Sequence, residues 1–222
     1  IGIFRGIGFA TAHPKKRMER STSRIRHDTT DIVRGLLQRA RLKYLERHHD
    51  KRYVKAGFTF VNSGVSIGLL AVVAHFAQSP FIFPSLGTTA FLVFYRPMAS
   101  SASPRNAICG HGLAAMVGWL SLFLFGMTDA TSALQGGITW PFVGAAALSL
   151  AGTNGLLVLL DISHPPAAAT TLIVALGLMS HLWQIPVLVA GVTLLVAQAF
   201  ALNRLAGVPY PVWKPAGREV TE

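Results

Sequence analysis

Gly57-Phe58-Thr59-Phe60-Val61-Asn62-Ser63-Gly64-Val65-Ser66-Ile67-Gly68-Leu69-Leu70-Ala71-Val72-Val73-Ala74-His75-Phe76-Ala77-Gln78-Ser79 contains no Asp, Glu, Lys or Arg. A hydrocarbon core of about 30 Å is crossed by on the order of 20 apolar helical residues. Residues 57–79 have that length and composition, so the chain reads as a membrane protein. Just before them, Lys51, Arg52 and Lys55 end a segment of the opposite chemistry. Of the 20 Lys and Arg residues, 15 precede Gly57, and from Gly57 to Asn203 the only charged residues are Arg96, Arg105, Asp129 and Asp161. The net charge of +11 therefore describes a basic arm on a nearly uncharged body. Such an arm beside apolar spans reads as a cytoplasmic retention signal rather than a nucleic-acid site.

Residues 106–126, 138–160 and 183–203 repeat the length and hydropathy of 57–79. Two shorter apolar runs, 80–97 and 164–180, begin with prolines and are open to reading as short crossings, broken helices or re-entrant segments. Loop charge favours crossings. With six crossings and both ends inside, Arg96, Arg105, Arg204, Lys214 and Arg218 all fall on the cytoplasmic side, and the 127–137 loop without Lys or Arg falls outside. The expected organisation is a basic cytoplasmic arm over 1–56, a transmembrane domain over 57–205 and a cytoplasmic tail over 206–222, in a multi-pass protein of the inner (plasma) membrane. Within the arm, Ile32, Val33, Leu36, Leu37, Ala40, Tyr44 and Leu45 fall on one stripe of a helix expected from Asp28 to His49, capped by Thr29 or Thr30. Ile1 to Ala10, with Arg5 inside, does not read as a cleavable signal peptide. The single cysteine, Cys109, rules out an intrachain disulfide.

The two halves echo one another. Phe83-Pro84-Ser85-Leu86-Gly87-Thr88-Thr89 aligns with Pro165-Pro166-Ala167-Ala168-Ala169-Thr170-Thr171, with Pro84 on Pro166 and Thr88-Thr89 on Thr170-Thr171. Each stands second in a group of three apolar runs. The fold class this predicts is all-α, with six hydrophobic segments forming two inverted three-segment repeats, as in many transporters. Two proline-led helices entering from opposite faces would then bring their positive N-terminal ends together, an arrangement suited to an anion. Ser85, Thr88 and Thr89 share one helical face and add hydroxyls; Thr170 and Thr171 offer the same across from them. Pro165 and Pro166 carry no N–H, which leaves the second helix fewer backbone donors.

His164-Pro165-Pro166-Ala167-Ala168-Ala169-Thr170 resembles the motif that names the HPP family of integral membrane proteins. Pro104-Arg105-Asn106 with Gly110-His111 resembles the family's Pro-Arg-Asn…Gly-His element, and Gly87-Thr88-Thr89-Ala90 stands where the family has Gly-Ala-Ser-Ala. The likeness runs from about Tyr53 to Leu205 and leaves out the basic arm. Thr88 and Thr89 depart from the family's Ala and Ser, and Ala168 from its usual Gly. The resemblance implies a membrane protein, and some plant plastid and cyanobacterial members are implicated in nitrite transport.

The expected substrate contacts are Ser85, Gly87, Thr88, Thr89, Asn106, His111, Asn154, His164, Thr170 and Thr171. His164 follows Ser163, a suitable N-cap, and titrates near neutral pH; it suits anion binding, proton relay or a structural turn. Asp161 is its expected relay partner, or an ordinary interfacial acid. His111 lies inside an apolar run, where an ionisable group is costly and marks a pathway. Asn106 also fits as the cap of its helix, and Asn154 as glue between helices. No nucleophile–base set, metal-spaced cluster or cofactor motif is read, so an enzyme is not expected. The expected partners are a small anion and the lipid bilayer. A homo-oligomer is admitted by the small residues of 144–152, and nucleic acid is not expected. The function expected is a transporter or channel for a small inorganic anion, nitrite on the family's precedent, with proton coupling through His111 or His164. A neutral-solute channel and a non-transporting scaffold are the alternatives.

Overall fold

The computed structural model describes residues 41–79 and 81–215, all of them helical or irregular. A short helix, α1 (Leu42–His48), leads into α2 (Lys51–Ala77), then α3 (Pro84–Tyr95), a 3₁₀ turn (Ser100–Ala102) and α4 (Pro104–Leu124). A one-turn helix, α5 (Ala133–Gly136), precedes α6 (Trp140–Leu159), α7 (Pro166–Ala175) and α8 (Gln184–Leu205).

Four of these helices, α2, α4, α6 and α8, are long and apolar enough to cross a membrane. This corrects the expected six segments in two inverted three-segment repeats. The runs 80–97 and 164–180 form helices of 12 and 10 residues, about 18 and 15 Å long at 1.5 Å per residue. Hydropathy counts apolar residues whether or not they are helical, and here the ends of each run are not. Phe83 is extended before Pro84, and Arg96 leaves helical geometry. Two residues beyond Ala175, past the C-cap Leu176, Gly177 stands at φ +77°, a left-handed turn that glycine makes without steric cost. With four long helices, the loop-charge argument for six crossings loses its premise.

Local chemistry moves several boundaries. Helix α2 begins before its apolar run because the Asp50 carboxylate accepts from Arg52 N at 2.7 Å and caps the first turn. Ser103, not Asn106, caps α4, accepting from Asn106 N at 3.4 Å. The Asn106 amide instead donates to Ser100 O at 3.0 Å. Ser163 does not cap α7, whose N-cap position is Pro165. Of the helix expected from Asp28 to His49, residues 28–40 lie outside the described residues; Arg41 is extended, and α1 runs from Leu42 to His48.

Helix α4 is the centre of the bundle and packs on α6, α7 and α8. Gly110, Ala114 and Gly118 lie four apart on the face it turns to α7. A Cβ on Gly118 would lie 2.7 Å from Thr171 O and 2.9 Å from Val174 Cβ, so the missing side chains set the spacing of the two helices. The small residues of α6 serve similar contacts within the chain, Gly144 against Phe125 and Gly152 against Val117. Leu70, Leu86, Ala107, Ala115, Val174, Leu188 and Leu195 fill the core between these elements. One end of the bundle is tied by Leu42 N to Ala206 O at 3.0 Å, Arg105 N to Trp213 O at 3.0 Å and Tyr210 Oη to Ala102 O at 2.6 Å. The other is tied by Ala133 N to Leu176 O at 3.0 Å and Trp119 Nε1 to Ser180 O at 3.0 Å.

Candidate functional site

Five polar side chains meet where α3, α4 and α7 touch. Ser85 and Thr89 stand four residues apart on one face of α3, His111 comes from α4, His164 from the turn before α7, and Thr170 from α7. Each is at most 1% exposed. Gly110 makes room for this meeting, because a Cβ there would lie 3.1 Å from His164 Cβ. Ser85 pairs with Thr170 and Thr89 with His164, so the start of each short helix lies beside the body of the other and the two run antiparallel.

The hydrogen bonds form one connected chain. Thr170 Oγ1 donates to Ser85 Oγ at 2.9 Å and lies 2.6 Å from His111 Nδ1. His111 Nε2 lies 2.8 Å from Thr89 Oγ1 and 3.2 Å from His164 Nε2. His164 Nδ1 lies 2.7 Å from Ser101 O. A carbonyl only accepts, so His164 Nδ1 carries a proton and, in the neutral ring, Nε2 presents a lone pair. Thr89 Oγ1 is shared among Ser85 O at 3.1 Å, His111 Nε2 and, at 3.2 Å, His164 Nε2. With His111 protonated on Nδ1, one hydroxyl proton faces three acceptors, and the two Nε2 atoms converge on a position that one further proton would satisfy. With Thr170 donating to Ser85, His111 Nδ1 is the donor and its Nε2 is bare; with both hydroxyls reversed, Nε2 holds the proton. The chain therefore supports two proton arrangements without moving a heavy atom.

The cluster relies on side chains rather than on helix-start N–H groups. At the start of α7, Ala167 N and Ala168 N already donate to His164 O at 3.0 Å and Pro165 O at 3.1 Å, and in α3 Leu86 N donates to Phe83 O at 2.9 Å. Three of the backbone donors expected for an anion are thus taken.

The remaining sequence candidates lie elsewhere. Gly87 and Thr88 are on the outer side of α3, and the Thr88 hydroxyl donates to Ser85 O at 2.8 Å. Thr171 faces α6, where its hydroxyl reaches Ser149 O at 3.4 Å. Asn106 is buried but serves the 3₁₀ turn. Asn154 and Asp161 line a cleft of about 530 Å³ together with Ser163, His164 and Ala168, so His164 stands between that cleft and the buried cluster. The Asp161 carboxylate does not orient His164; Ser101 O holds that ring. Arg105 donates to the Asp161 and Leu160 carbonyls at 3.1 and 3.4 Å and ties down the α6–α7 turn.

Sequence reasoning missed Ser101, which acts through a backbone carbonyl and so leaves no side-chain signal. It also missed Asn203, fully buried on α8 and donating to Val93 O at 3.1 Å and Ala199 O at 2.9 Å; an amide at the end of an apolar run was the available clue. Among the described residues no group of three or more His, Cys, Asp or Glu gathers to hold a metal.

The profile of the HPP transmembrane region matches residues 48–211. The chain belongs to the HPP family. This HPP protein is also similar to a transmembrane protein of Dictyostelium discoideum, 28% identical over 180 residues, 74% of this chain and 59% of that protein. The chain thus spans less than two thirds of that relative's length. No solved structure matches the chain. Family and helices together make it a multi-span α-helical integral membrane protein.

Proposed function

We propose that this HPP protein is a transporter or channel for a small inorganic anion, moved past the His111–His164 cluster together with a proton. The supporting observation is the burial of two imidazoles, Nε2 to Nε2 at 3.2 Å, among three hydroxyls. Ionisable groups in an apolar bundle are costly and mark solute or proton pathways. A proton taken up between the two Nε2 atoms makes the cluster cationic, and among the described residues no carboxylate hydrogen-bonds to it. An anion that enters by the cleft at His164 meets this charge and the hydroxyls of Thr89, Ser85 and Thr170. When the anion leaves, the proton is no longer compensated and leaves with it. The carriers of the proton are thus His164 and His111, with Asp161 at the cleft mouth as an exposed acceptor.

Nitrite is the first substrate to test, on the family's precedent. Proteoliposomes are expected to take up nitrite under an inward proton gradient, and His164→Gln to reduce uptake to that of empty liposomes while the elution profile of the purified protein is kept. Uptake no greater than that of empty liposomes between about pH 5 and 8, where a free imidazole changes charge, overturns nitrite as the substrate. Swelling with neutral solutes, indifferent to pH and potential, replaces the anion with a neutral cargo.

A further inference from the structure

Away from the buried cluster, three basic side chains gather beside a groove between α2 and α3. Lys51, Arg52 and Lys55 stand at its head, and Thr59, Phe60, Phe91 and Tyr95 line its length, in a volume of about 700 Å³. Phe60 and Phe91 are 81% and 54% exposed, and the Phe91 and Tyr95 rings stack at 5.0 Å. Lys55 and Tyr95 also border a second cleft that carries Lys43 and Arg96 and a single acid, Glu46. Five cations thus border the two clefts with one carboxylate, Glu46, at the end of an apolar surface, and the neighbouring Asp50 carboxylate is engaged in capping α2 through Arg52 N. From Lys51 to Phe60 the helix rises about 14 Å, close to the roughly 15 Å of one leaflet's hydrocarbon.

We infer that this groove binds an anionic phospholipid, its phosphate among Lys51, Arg52 and Lys55 and one acyl chain along Phe60, Phe91 and Tyr95. The basic head supplies charge complementarity, screened by salt as exposed pairs are. The aromatic wall gives an acyl chain a fixed surface in place of other lipid tails. A free phosphate finds the same cations but nothing for the wall to hold, so the two ligands separate experimentally.

The test titrates the purified full chain in mild detergent with phosphatidylglycerol, phosphatidylcholine and glycerol 3-phosphate, following retained lipid by native mass spectrometry. Phosphatidylglycerol is expected to be retained about tenfold better than phosphatidylcholine, a difference of about 1.4 kcal/mol, and to outcompete glycerol 3-phosphate. Lys51→Gln, Arg52→Gln and Lys55→Gln together bring phosphatidylglycerol down to the phosphatidylcholine level, and Lys214→Gln, outside the groove, leaves it unchanged. Equal retention of the two lipids by the wild type overturns the inference. So does an unaltered preference in the triple variant, or in Lys55→Gln alone where the triple variant does not fold. Glycerol 3-phosphate displacing the lipid at equal concentration assigns the site to phosphate and overturns the acyl-chain part.

Discussion

Replacing Gly118 by alanine tests the packing that builds the cluster. The added Cβ would stand 2.7 Å from Thr171 O and 2.9 Å from Val174 Cβ, where carbon contacts are favourable only from about 3.5 Å. Thr171 O is backbone, so no rotamer change relieves the overlap; α7 must move away from α4. Overpacking of this kind costs about 1–3 kcal/mol, against about 1 kcal/mol gained when a mid-helix glycine becomes alanine. Gly64 supplies the control, because it is also mid-helix, in α2, and a Cβ there meets nothing within 4 Å. The propensity gain is common to both variants, so the difference between them isolates the overlap, about 1–3 kcal/mol. At about 2–4 °C per kcal/mol for a chain of this size, Gly118→Ala is expected to melt several degrees below Gly64→Ala in the same detergent, followed by intrinsic fluorescence. A Gly118→Ala protein that melts at or above Gly64→Ala refutes the α4–α7 contact and, with it, the 2.6 Å approach of His111 to Thr170.

Other perturbations address single contacts. Thr170→Val keeps the shape and removes the hydroxyl between His111 Nδ1 and Ser85 Oγ, so stability is expected to fall by about 0.6–1.7 kcal/mol, the range for polar contacts between membrane helices; thermal unfolding unchanged from wild type removes that bond from the account. Asn203→Ala loses the donations to Val93 O and Ala199 O and is expected to cost about 1 kcal/mol, read in the same melt. Gly110→Ala crowds His164 Cβ and, under the proposed transport role, is expected to lower nitrite uptake in folded, reconstituted protein; uptake equal to wild type at equal reconstituted amounts refutes the effect on His164. Tyr210, beyond α8, is fully buried, and burial raises its phenol above the ordinary value of about 10. The unfolded chain releases that proton first, so stability attributable to Tyr210 is whole below pH about 10 and declines as pH rises above it. Tyr210→Phe is expected to flatten this alkaline decline, and identical slopes in the two proteins remove Tyr210 as its source.

Composition and hydropathy by themselves determined that the chain is helical and belongs in a bilayer. The four long apolar runs became α2, α4, α6 and α8 with ends shifted by a few residues, because continuous apolar length without charge has one stable solution in lipid. The motif around His164, together with Pro104-Arg105-Asn106…Gly110-His111 and Gly87-Thr88-Thr89-Ala90 in the family's order, indicated the family, and His111, His164, Ser85, Thr89 and Thr170 were all in view as polar residues in apolar surroundings. Tertiary structure decided the rest. Hydropathy could not tell a short helix with extended leads from a full span, since both consist of apolar residues, and the six-segment repeat fell on that point. Nor could spacing along one helix tell Thr89, turned to His111, from Thr88, bonded to its own turn. Which polar residues meet depends on how closely α4 and α7 approach, and that distance is set by Gly110 and Gly118, through atoms that are not there.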